Sequence, residues 1–263
     1  MKEENILGKL HQEITTSLRL KTSPFGVKLL KTLDERPPKT MRPRHPMNTC
    51  QITALTRYQG RAMYAALEDL ACIIGAVALG MVEEPEIMKS GKIAEMLHAD
   101  LESARKFTEQ VPKIPSGKIK AFASAPLNQL NFDPDLVVMY GNTAQVIRIV
   151  QAYLYRRGGR VGFTTGGEYS LCADSIADTY NKQDLSVAIP CFGDRKTALA
   201  QDDELTVAFP VSLADEILEG LQGTAKTAAY PTPMDIGFPQ MPDYTLTDWA
   251  VNFRKSMTRR AAH

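Results

Sequence analysis

Strand-like and helix-like segments alternate along this chain, and that order predicts an α/β or α+β fold. Short runs rich in β-formers at 25–30, 135–140, 185–189 and 204–209 read as buried strands. Between them lie segments whose apolar residues recur every three or four positions, the period of an amphipathic helix. Two cysteine pairs add a further pattern: Cys50/Cys72 and Cys172/Cys191 stand 22 and 19 residues apart, each bracketing a helix and then a strand. This predicts two intertwined, pseudo-symmetric half-domains with mixed sheets flanked by helices, although the halves share negligible sequence identity. The expected boundaries are one α/β domain over 1–223, with halves at about 1–115 and 116–223, and a proline- and aromatic-rich extension over 224–263 that carries a terminal helix.

The elements follow in order. Ile6, Leu7, Leu10, Ile14 and Leu18 predict a first helix, and Ser23-Pro24 ends it before the strand at 25–30. Residues 37–46 hold a basic, proline-rich loop, because proline lacks the backbone donor and biases its predecessor to extended backbone. A short helix opens at Thr49-Cys50 and ends at Gly60, a strand follows at 62–67, and an apolar helix is expected over 70–82. Glu68 and Asp69 at its entry suit the positive end of a helix dipole. A long amphipathic helix is expected over 85–111, a strand at 118–123 and a loop at 126–132. The strand at 135–140 turns through Gly141 into a helix over 144–156, closed by Gly158-Gly159. A short helix at 173–180, a strand at 185–189 that delivers Cys191, a strand at 204–209 and a helix at 213–221 complete the domain.

The bulk numbers narrow the class. The chain has 263 residues, 44% hydrophobic and 23% charged, ordinary values for a globular protein. A formal net charge of +1 supplies no global field toward nucleic acid or membrane. The longest apolar run, 70–82, is 13 residues, and a membrane span needs about 20. The first residues include acidic side chains and no apolar core of a secretory signal, so a reducing cytosol is the expected location. There the cysteines are expected to bind metal, react or pack, not to form structural disulfides.

The cysteine surroundings rank these uses. Cys50 lies at a helix start, just after Lys39, Arg42, Arg44 and His45; helix starts and nearby cations favour thiolate. Cys172 also lies at a helix start, and Cys191 at a strand end beside Gly193 and Arg195. Cys72 alone reads as a buried small hydrophobe; beside the other three it is a fourth ligand. Zinc sites usually show ligands two to four residues apart, a spacing absent here. Dispersed cysteines on glycine- and cation-rich loops suit an iron–sulfur cluster.

The segments around these cysteines carry a family resemblance. Pro24-Phe25-Gly26-Val27-Lys28-Leu29, Cys50-Gln51-Ile52, the run 68–76 from Glu68 to Ala76, and 137–141 from Val137 to Gly141 are its first motifs. Gly167 to Ala173, Ile189 to Arg195, and Asp202-Asp203-Glu204-Leu205 are the rest. Together they resemble the uncharacterised domain-of-unknown-function family numbered 169, an archaeal conserved region, over about residues 20–221. The resemblance implies an α/β fold and members mostly from anaerobic archaea and bacteria. It implies no activity.

Other patterns carry less. Gly158-Gly159-Arg160-Val161-Gly162 follows a helix, whereas a dinucleotide fingerprint follows a strand and opens a helix. Asp202-Asp203-Glu204 reads as a solvated acidic turn. The expectation is an iron–sulfur protein of anaerobic metabolism. Cys50, Cys72, Cys172 and Cys191 would hold one cluster, a [4Fe–4S] cubane, for electron transfer or small-molecule redox chemistry. Arg195 and the basic loop would form its cationic rim. Catalytic residues are unassigned, with Arg195, Glu168 and Asp194 as candidates. The alternatives are a metal-free thiol enzyme using Cys172 or Cys191, a zinc-binding protein, and a non-catalytic accessory protein. Expected partners are a second copy of the chain, a redox protein or a small-molecule substrate, with no nucleic acid and no membrane.

Overall fold

Every ladder in the sheet runs antiparallel. The computed structural model describes residues 6–231. In chain order the main elements are α1 (Ile6–Leu18), β1 (Phe25–Leu30), α2 (Thr49–Gln59), β2 (Met63–Ala66), α3 (Ile73–Ala78), α4 (Glu86–Lys89) and α5 (Leu101–Gln110). Then come β3 (Ala121–Pro126), β4 (Leu136–Asn142), α6 (Thr143–Arg157), a π-helix (Ser170–Ala177), α7 (Asp178–Lys182), β5 (Ser186–Ala188), α8 (Phe192–Ala198), β6 (Glu204–Pro210) and α9 (Ala214–Thr224). The six strands form one sheet in the order β2-β3-β1-β4-β6-β5.

The mixed α/β class is as expected, but the sheet is neither mixed nor split. Among the described residues, parallel pairing occurs only as the isolated bridges Met41–Met63 and Met47–Leu70. Strand β1, from the first half of the chain, sits between β3 and β4 of the second half, so both halves share one sheet. No described helix is long and apolar enough to cross a membrane.

Strand alternation sorts the core into two faces. On β4, Leu136, Val138 and Tyr140 join Phe25, Phe122, Ile52, Leu171 and Ile176 on the face covered by α2 and the π-helix. Val137 and Met139 point the other way and pack with Leu10, Ile14, Ile149, Phe209 and Ile217 under α1, α6 and α9. The compact unit reaches Pro231, beyond the expected edge at residue 223. Tyr230 packs against the second core, and its hydroxyl accepts from Asn142 Nδ2 at 3.2 Å. The expected terminal helix lies outside the described residues.

Two expected helices are broken, each for a visible reason. The apolar run 70–82 is helical only over Ile73–Ala78. Its first residues are held extended by the bridge to Met47, where the Ala71 N–H donates to the Met47 carbonyl at 3.0 Å. The expected helix at 85–111 becomes α4, a 3₁₀ turn at Glu95–Leu97, and α5. Gly91 has φ +83°, and a Cβ there would collide with the Arg105 backbone. Asp100 restarts the helix by accepting from the Ser103 N–H at 2.7 Å.

Helices α6 and α9 approach closely at Gly220, where a Cβ would run into the Ala152 carbonyl. Backbone faces backbone there, so no side chain can yield. Gly220→Ala is expected to cost about 1–3 kcal/mol, the range for overpacking. Urea unfolding checks this, and an unchanged midpoint would show that the two helices do not meet as described.

Candidate functional site

Four helix beginnings meet on the α2 side of the sheet, and each brings a cysteine. At the start of α2 the Asn48 N–H donates to Gln51 Oε1 at 2.9 Å, and Cys50 lies in the first turn. Cys72 is the residue before α3, Cys172 lies in the first turn of the π-helix, and Cys191 is the residue before α8. All four thiols line one chamber of about 250 Å³. The other walls include Asn48, Thr49, Glu168, Tyr169, Ser170 and Asp194, with Ile74, Ile93, Met96, Leu97, Leu171 and Phe192 as the apolar surface.

The thiols are free, and each is partly buried. Cys50 Sγ lies 3.6 Å from Thr197 Oγ1, and Cys172 Sγ lies 3.7 Å from the Tyr169 carbonyl. The Cys191 N–H donates to Ser170 Oγ at 2.8 Å, which ties the loop before α8 to the start of the π-helix. Burial pushes the Cys50 thiol up to about 12, Asp194 adds to the rise, and the Thr197 hydroxyl opposes it. Cys172 is pushed well above the usual thiol range, first by burial and then by the other three thiols. This corrects the expectation of thiolates at these positions, because desolvation outweighs the helix start. Among the described residues, no three His, Cys, Asp or Glu side chains converge tightly enough to hold a single metal ion.

Among the described residues no Lys, Arg or His lines the chamber, so they form no cationic rim. Arg195 turns to its own loop, donating to the carbonyls of Pro190 at 3.1 Å and Gln201 at 2.8 Å and to Asp202 at 3.1 Å. Arg42 is held by Asp69 and Glu68, each at 2.8 Å. With Arg44 and His45 it lines a separate cavity beside Leu55, Gln59, Arg61 and Met63. Glu168 and Asp194 do line the chamber. Burial raises Glu168, with His98 pulling the other way from 3.7 Å. Burial pushes Asp194 up to about 6, against the lowering effects of the Tyr140 hydroxyl and Arg57.

A buried polar network braces this wall. Arg57 lies over the Tyr140 ring, 3.7 Å from its centroid, and donates to the Ala198 carbonyl at 3.0 Å. It also pairs with Glu204 at 3.4 Å. The Tyr140 hydroxyl donates to Asp194 Oδ2 at 2.8 Å. Glu204 is therefore not part of a solvated turn: it is buried, while Asp202 and Asp203 face outward to Arg195 and Lys21. The sequence did hold a signal for Arg57, since it lies four residues after Thr53 on the inward face of α2.

Residues 13–220 match the model of domain-of-unknown-function family 169, described as uncharacterised ArCR. The chain belongs to this family. A relative, the uncharacterized protein MJ0308 of Methanocaldococcus jannaschii, is 32% identical over 209 residues, covering 78% of this chain and 89% of the relative. No solved structure matches the chain. The match spans β1 through β6 and all four cysteines, so the whole chamber lies within the family region.

Arg57→Ala would leave Glu204 and Asp194 buried beside a lost cation. It is expected to cost about 3–5 kcal/mol in denaturant unfolding, and a loss below 1 kcal/mol would mean the network is not assembled. The thiols set a pH dependence of the opposite sign to ordinary carboxylates. Folded Cys50 keeps its proton to about 12, whereas an unfolded thiol loses it near 9.0. Between those values the folded chain holds more protons, so stability falls as pH rises. Urea midpoints of the metal-free protein from pH 8 to about 10.5 should decline more steeply than those of Cys50→Ser; equal slopes would reject the buried thiol.

Proposed function

We propose that the chamber holds one iron–sulfur cluster, a [4Fe–4S] cubane, through Cys50, Cys72, Cys172 and Cys191, for electron transfer or small-molecule redox chemistry in a reducing cytosol. One observation carries this reading: four cysteines, scattered over more than half of the chain, line a single chamber from four separate helix starts. Chance burial of small hydrophobes has no reason to bring every cysteine of a chain to one cavity.

Soft thiolate donors select iron–sulfur clusters, zinc or Cu(I) over harder ions. A single ion needs its donors gathered closely around one point, a convergence absent among the described residues. In a cubane each thiolate binds its own iron, so the sulfurs stand farther apart. When bound, the cluster would supply one-electron chemistry at a potential set by burial and by hydrogen bonds to sulfur. This chain's own part is to exclude water with the apolar wall and to surrender thiol protons on loading. Because burial raises Cys50 and Cys172, loading is favoured as pH rises. The charge of the thiolates would be met by backbone N–H groups at the helix starts, not by side-chain cations.

A metal-free nucleophile is less well supported. Burial pushes Cys172 well above the usual thiol range, and among the described residues no histidine lines the chamber to act as its base. Protein purified without oxygen is expected to be brown and to contain iron and acid-labile sulfide in about equal amounts. Replacing Cys50 or Cys172 with serine should remove most of both. A colourless protein that cannot be reconstituted with iron and sulfide, or one carrying zinc without sulfide, would overturn the cluster.

A further inference from the structure

The basic segment after β1 is held more firmly than a solvated loop needs to be. Backbone bonds fix it at both ends. The Met41 N–H donates to the Ala62 carbonyl, and the Tyr64 N–H to the Met41 carbonyl, both at 2.8 Å, along the outer edge of β2. The Met47 N–H donates to the Asp69 carbonyl at 2.9 Å. Pro43 and Pro46 restrict the backbone between these points, and Arg42 is fixed by Glu68 and Asp69. The segment so held walls the second cavity, which measures about 280 Å³. Another wall comes from the end of α2 and from Arg61, whose N–H donates to the Leu55 carbonyl at 3.4 Å. Among the described residues, neither Arg44 nor Arg61 has a side-chain hydrogen bond or ion pair, and no Asp or Glu lines the cavity. Ordering a loop costs conformational entropy. Here the ordered loop presents an arginine with no partner in the chain, beside a second such arginine on the same cavity. That is how a preorganised anion site is built.

We infer that this cavity binds a small organic phosphate monoester, its phosphoryl oxygens taken by Arg44 and Arg61 and its hydrocarbon part lying on Met41, Leu55 and Met63. A phosphate monoester carries a charge of about −1.5 to −2 and three acceptor oxygens, which suits two guanidinium forks from separate segments. A carboxylate has one charge and is satisfied by one fork. An organic cation would meet like charge at both arginines. Inorganic phosphate would leave the apolar lining bare, although Met63 at 1% exposure gives a dry floor and Met41 is half exposed beside it. Methionine, unbranched and polarizable, adapts to hydrocarbon of irregular shape. Nucleic acid fits less well: the formal net charge is +1, and the lining holds no aromatic ring on which a base could stack. The cavity shares no lining residue with the cysteine chamber, so the inference does not rest on a cluster.

Calorimetry on the full-length protein at about pH 7.5, where the ester is mostly doubly ionised, would compare n-butyl phosphate with butyrate, n-butylammonium and inorganic phosphate. Butyl phosphate is expected to bind at least about tenfold more tightly than each of the others, the ratio given by one charge-assisted hydrogen bond or two buried methylenes. Arg44→Gln and Arg61→Gln should each weaken it by about tenfold. Both side chains are exposed, so both variants should fold, with thermal unfolding as the check. Lys39→Gln, on the same segment but outside the cavity, should leave binding unchanged, as should chelation of iron. No binding of butyl phosphate, equal binding of butyrate or inorganic phosphate, or unchanged binding in folded Arg44→Gln would overturn the proposal. So would an equal loss in Lys39→Gln, which would mean a diffuse positive field, or tighter binding of a single-stranded oligonucleotide that is lost in Arg44→Gln.

Discussion

The buried guanidinium of Arg57 is the constraint around which the chamber side of this fold is arranged. A cation taken out of water costs several kcal/mol unless its donors are used and its charge is met. Arg57 meets that cost by lying on the Tyr140 ring, donating to the Ala198 carbonyl and pairing with Glu204. Those contacts join α2, β4, the end of α8 and the start of β6. Tyr140 then reaches Asp194 at the start of α8. The spacing between the Cys50 helix and the Cys191 helix is thereby set by a polar network and not by apolar packing alone, which tolerates small slips.

The network also explains the electrical character of the chamber. The positive charge sits behind the wall, committed to Glu204 and to a carbonyl, and does not face the cavity. The described lining of the cavity carries sulfur, carboxyl, amide and hydroxyl groups and hydrocarbon. In such surroundings burial raises acids and thiols above their usual ranges, the direction found for Cys50, Cys172, Glu168 and Asp194.

The comparison of sequence with structure is uneven for a physical reason. Strands β1, β4 and β6 were legible because a six- or seven-residue buried run has little else to be. Helices α2 and α6 were legible from their closing glycines. Segments governed by distant partners were not. The run 70–82 reads as helix by composition, yet a bridge to Met47 takes its first turn. Arg195 reads as a cation beside a cysteine, yet the carbonyls of its own loop claim its donors. Glu204 looks like its exposed neighbours Asp202 and Asp203 until Arg57, 147 residues away, is seen against it.

By itself the sequence determined the alternation of elements, the class of fold, and the presence of four thiols, three of them at loop-to-element junctions. These are local properties, written in periodicity and in turn residues. Only the tertiary structure decided that the strands form one antiparallel sheet, that the four thiols share a chamber, and that the chamber is acidic and not cationic. Each of those depends on which distant groups meet. Desolvation, which raises the Cys50 and Cys172 thiols and the Glu168 and Asp194 carboxyls, is a property of the whole assembly and of no single stretch of chain.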